Sequence, residues 1–118
     1  MNIFSPFLKI QNQLKIYHWQ TQSYSQHKAF GSAYEELDGL IDSFVECYIG
    51  RYGYSQVHMV FKMELNSYDE NYNKFVDDCI LYLTNLSNEI DEISSDLLNI
   101  RDEMIAVFTR LKYLLSMK

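Results

Sequence analysis

The chain has 118 residues, 47% of them hydrophobic and 22% charged, with a formal net charge of −6. That length makes one domain, 1–118, with a core of its own, since single cores divide only beyond roughly 250 residues. Four Gly and one Pro are too few for an all-β fold of many tight turns, and two Cys are too few for a disulfide framework. Sixteen acidic side chains outnumber ten scattered basic ones, which disfavours sequence-independent binding of nucleic acid. No apolar run reaches the ~18 residues of a membrane span, and the first residues do not read as a signal peptide. A cytoplasmic, helical domain is expected.

Four helices follow from hydrophobic periodicity. Ser5 as N-cap and Pro6 at the first helical position open the first, whose apolar face is Phe7, Ile10, Leu14 and Tyr17. It should end near 19–22, before the polar turn Thr21-Gln22-Ser23. His27 opens the second, where Phe30, Ala33, Tyr34, Leu37, Ile41, Phe44, Val45 and Tyr48 form a stripe of period 3.6. Gly50 and Gly53 supply its stop, with Arg51 suited to the negative end of the helix dipole. Residues 54–66 alternate apolar and polar, from Val57 through Met59, Phe61 and Met63 to Leu65, which predicts an extended crossover. The third helix carries Tyr72, Phe75, Val76, Cys79, Leu83 and Leu86. The fourth is capped by Asp91 or Ser94 and carries Leu97, Ile100, Met104, Ile105, Phe108, Leu111 and Leu115. Short, long and short connections predict an all-α, ferritin-like four-helix bundle with one long crossover between helices 2 and 3.

Asp38, Asp42 and Glu46 recur at i, i+4 and i+8, a carboxylate row with no interleaved base. Either that flank is fully solvated, the ordinary outcome for a charge row, or a cation balances it. His58 reads as a solvated imidazole, and Cys47 and Cys79 as small buried apolar residues. His18 and His27 flank the first turn. His27 precedes Asp42 by fifteen residues, roughly 22 Å along a helix, whereas metal–ligand bonds are about 2 Å. One continuous helix cannot bring both to one ion, but two antiparallel copies about a two-fold axis can. An intrasubunit di-iron site would need Glu-x-x-His pairs, and none is present.

The stretch from Tyr17-His18-Trp19 through His27-Lys28-Ala29-Phe30 to Asp42-Ser43-Phe44-Val45-Glu46 resembles the ferroxidase signature of the Dps family, the miniferritins. Ser94-Ser95-Asp96-Leu97-Leu98 looks like that family's Thr-Ala-Asp-Leu-Leu element. The resemblance implies dimers in which His18 and His27 of one subunit face Asp42 and Glu46 of the other, with Trp19 and Asp38 beside the site. Those dimers would build a dodecameric shell that oxidises Fe(II) with oxygen or peroxide and stores ferric iron. Trp19 would donate electrons or simply anchor the first helix. The chain also resembles uncharacterised proteins of large algal viruses, which implies host cytoplasm or a virion as its setting. It departs from the family's pattern: His18 and His27 are closer together, Gly31 stands where an acidic ligand is common, the crossover has no obvious short helix, and the sequence is shorter than usual and without the Lys-rich DNA-binding tail. The same donors suit zinc, so a zinc-stabilised dimer is a further reading. The alternative without metal is a non-catalytic helical oligomerisation or scaffold protein.

Overall fold

Four helices make up most of a computed structural model that describes residues 3–54 and 61–117. They are α1 (Phe4–Gln20), α2 (Tyr24–Tyr52), α3 (Tyr72–Asn85) and α4 (Ser95–Ser116), with a 3-10 turn at Leu86–Asn88. His58, with Val57, Met59 and Val60 of the alternating stretch, lies outside the described residues. The 29 residues of α2, at about 1.5 Å each, account for the 43 Å long axis of the molecule.

Two helix starts differ from the sequence expectation. The α1 N-cap is Ile3, not Ser5, and it makes no side-chain cap bond. Ile3 is 1% exposed, so burying it draws the helix start upstream. Pro6 then falls third in the helix, still within the first turn where no backbone N–H has an intrahelical partner. α2 begins at Tyr24 rather than His27, because Ser23 Oγ accepts the Gln26 N–H at 3.3 Å as an N-cap. Gly50 stays helical. Gly53, at φ 85°, alone provides the stop, a conformation that favours glycine. Ser94 precedes α4 but makes no side-chain cap bond; its buried hydroxyl lies 3.0 Å from the Tyr52 hydroxyl.

The apolar stripes converge on one core. Phe7, Leu14, Phe30, Leu37, Phe44, Val76, Leu83, Leu97, Met104, Phe108 and Leu111 are all buried in it. Cross-contacts fix the topology. Phe61 packs on Phe4, Asn12 meets Met63, Gln13 meets Asn66, and Gln20 meets the Tyr68 N–H. The connection therefore travels along α1 toward the end where α2 begins, and α3 runs parallel to α2. Ion pairs Glu36–Arg110 and Arg51–Asp96 set α4 antiparallel to α2, and Lys112–Asp77 sets it antiparallel to α3. Residues 61–69 form neither helix nor strand. They are held by Gln13, only 1% exposed, which donates to the Asn66 carbonyl and accepts its N–H, both at 2.8 Å. The side-chain amide thus replaces a pair of sheet bonds.

Arg101 closes the other end by donating to the Leu83 and Thr84 carbonyls at the end of α3, which also accept from the Leu86 N–H and, at Thr84, from the Ser87 hydroxyl. No helix among the described residues is long and apolar enough to cross a membrane.

Two measurements test this frame. Gln13→Leu preserves volume but removes both bonds, so urea unfolding should show a loss of about 1 kcal/mol. Hydrogen exchange should accelerate at the Asn66 amide. Partial desolvation acts to raise the Asp96 carboxyl, but the Leu97 N–H and the Arg51 guanidinium outweigh it and hold it below its usual value. Its stabilising contribution is complete above about pH 4 and lost as pH falls through the depressed value. Asp96→Asn should flatten that part of the acid unfolding curve.

Candidate metal centre

The three-residue turn Thr21-Gln22-Ser23 returns the chain so tightly that the last turn of α1 lies against the first turn of α2. His18 and His27 meet there. Their rings stack with centroids 3.9 Å apart and planes 16° from parallel. His18 Nδ1 lies 2.7 Å from the His27 carbonyl oxygen, and His27 Nδ1 lies 2.8 Å from the His18 carbonyl oxygen. A carbonyl only accepts, so each Nδ1 carries a proton, and in the neutral form of each ring the lone pair is on Nε2. The His18 carbonyl is one of those left open at a helix C-terminus, and His27 satisfies it.

Gly31 makes this stacking feasible. A Cβ there would come within 2.8 Å of His18 Cε1 and 2.9 Å of His18 Nδ1. The His18 ring occupies the space that any side chain at 31 would take. An acidic ligand at that position is incompatible with the observed pair.

Both imidazoles line a cavity of about 760 Å³, together with Ser25, Lys28, Gly31, Ser32 and Glu35 and with Leu114 and Met117 from the end of α4. The carboxylate row lies elsewhere. Asp38 and Asp42 line a second cavity of about 200 Å³ with Phe4, Leu8, Gln11 and Val45, in the groove between α1 and α2. Asp38 accepts a 2.9 Å bond from Gln11, while Asp42 and Glu46 are exposed and make no ion pair among the described residues. α2 is unbroken between the two cavities. Among the described residues, no three His, Cys, Asp or Glu side chains come together closely enough to hold a metal. One subunit brings His18 and His27 together but keeps them from Asp42 and Glu46.

Trp19 is 67% exposed and so does not anchor α1. Its ring lies 5.6 Å from the Lys15 ammonium, which also sits 4.4 Å above the Tyr34 ring. Burial pushes the Cys79 thiol well up, so it is no nucleophile at neutral pH. The residue that sequence reasoning passed over is Glu35. It stands one turn beyond Gly31, outside the i, i+4, i+8 row that drew attention to the other acids.

Residues 18–115 match the model of a family described as a family of unknown function, DUF5856. The chain belongs to that family. The span matched in this family opens at His18 and closes at Leu115, taking in both imidazoles, Gly31 and all three acids of the row. No curated protein and no solved structure matches the chain.

The steric argument at Gly31 has a direct check. Gly31→Ala should displace the His18 ring and lower stability by about 1–3 kcal/mol, as overpacking does. Gly50→Ala, where a Cβ meets nothing within 4 Å, should instead stabilise by about 0.5–1 kcal/mol. Thermal or urea unfolding of the two variants distinguishes a contact effect from a general intolerance of substitution in α2.

Proposed function

We propose that the chain forms a two-fold dimer through the exposed α1/α2 face and oxidises Fe(II) at sites shared between subunits. His18 and His27 of one chain act there with the partner subunit's Asp42 and Glu46. The observation that carries this reading is the reciprocal histidine pair. A ring that donates Nδ1–H to a backbone carbonyl is fixed in orientation and tautomer with Nε2 free, the usual preparation of a metal-ligating histidine. Two such rings side by side open on one cavity.

Geometry and charge support the rest. At 100° per residue, His27, Gly31, Glu35, Asp38, Asp42 and Glu46 fall within an arc of roughly 100° on α2. That face carries the cations Lys15 and Lys28 towards one end and the acids Asp38, Asp42 and Glu46 towards the other. An antiparallel copy sets each end against its complement. Imidazole and carboxylate donors with open coordination positions suit iron. In this reading iron is substrate: two Fe(II) pass two electrons to one peroxide, which takes two protons and leaves as two waters. Assembly of such dimers into a ferritin-like shell that stores the ferric product extends the same reading.

One observation favours a second reading. The histidine pair ties α1 to α2 whether or not an ion is bound, so it also suits a non-catalytic oligomerisation module.

Mixed dimers separate the two. His18→Ala/His27→Ala and Asp42→Ala/Glu46→Ala chains should each fail to oxidise Fe(II). Unfolded and refolded together in equal amounts, they should regain roughly a quarter of wild-type activity, because half the dimers then hold one intact site of two. Ferric absorbance after oxygen or peroxide addition reports the result. Wild-type protein that assembles without oxidising iron supports the module instead, and an active wild type with no complementation shows that the site is not shared.

A further inference from the structure

We propose that Glu35 is a metal-ligating carboxylate, supplied by the same chain as His18 and serving the ion at His18 Nε2. This extends the donor set of the shared site above and rests on that reading. The argument begins with ring geometry. Lone pairs on Nε2 lie in the planes of their rings, and metal–nitrogen bonds are about 2 Å. Planes 16° from parallel, with centroids 3.9 Å apart, do not meet at such a distance. One ion therefore cannot take both imidazoles, so on the reading above each imidazole serves an ion of its own, and two ions call for more than one pair of carboxylates.

Glu35 meets that need on three grounds. It lines the same cavity as both imidazoles. It follows Gly31 by one turn, and helical side chains lean toward the N-terminus, so Glu35 leans toward the turn on which the His18 ring rests. It also makes no hydrogen bond or ion pair among the described residues, whereas Glu36 pairs with Arg110 and Asp38 accepts from Gln11. The antiparallel register that sets His27 opposite 42–46 places the two-fold axis near 35–36.

The test is calorimetric titration of the dimer with Fe(II) alone, under argon. Wild type should take up two ions per chain. Glu35→Gln should take up one, or bind the second at least about tenfold more weakly, with unchanged dimerisation and melting temperature because Glu35 holds no structural contact. Glu35→Asp should recover part of the loss. Wild-type stoichiometry and affinity in Glu35→Gln overturn the assignment, as does an effect on melting temperature alone. The Asp42→Ala/Glu46→Ala chain distinguishes the two levels. If it loses iron while Glu35→Gln does not, the shared site stands and only the Glu35 role falls. If it too binds two ions, or wild type binds none, both fall.

Discussion

The exchange of two hydrogen bonds between His18 and His27 is the constraint on which the arrangement turns. Each ring ties down the other's backbone, so the two imidazoles close the α1–α2 hairpin at the point where only three residues connect the helices. Neutral hydrogen bonds of this kind contribute about 1 kcal/mol each, and less than the core Phe and Leu side chains do. Their importance is in direction. They set which nitrogen bears the proton, where each lone pair lies, and why position 31 carries no side chain. An ordinary hairpin would need none of these.

Much of the fold was readable because packing and periodicity agree. Phe30, Ala33, Leu37, Ile41 and Phe44 form a buried stripe in the sequence and in the structure alike. Gly53 stops α2 through a backbone angle that its lack of a Cβ permits. The misses have local causes. Ser5-Pro6 is a strong start signal, yet burial of Ile3 shifts the helix start because a buried isoleucine outweighs a cap worth about 1 kcal/mol. The crossover's hold on the bundle was invisible because Gln13 reads as a polar residue of no note. Its partner is a backbone 53 residues away.

The site divides along the same line. Periodicity gives the carboxylate row, since i, i+4 and i+8 is a property of one helix. The stacked imidazoles depend on a turn geometry and on a glycine in the following helix, which no local pattern encodes. Gly31 shows the difference most clearly. In the sequence it is a missing acid, whereas in the structure it is the space that the His18 ring occupies. Glu35 was missed for the converse reason, as its relevance comes from a cavity shared with residues of α1 and α4.

Continuity of α2 has a consequence for regulation of any chemistry at this face. The donors on one subunit are held at two places about 22 Å apart, so neither half is a strong metal site in the monomer. In the proposed dimer, binding would be linked to association: an ion that prefers the dimer stabilises it by RT ln(1 + c/Kd) at free ion concentration c, and dilution that separates the subunits releases it. Asp42 and Glu46 are exposed and without an ion pair among the described residues, whereas the histidine pair is already oriented and would lose little entropy on binding. In the proposed dimer, association would relieve the charged half by presenting it to the half that is prepared. The asymmetry between an oriented nitrogen pair and an acid flank without ion pairs among the described residues is what would favour the proposed shared centre.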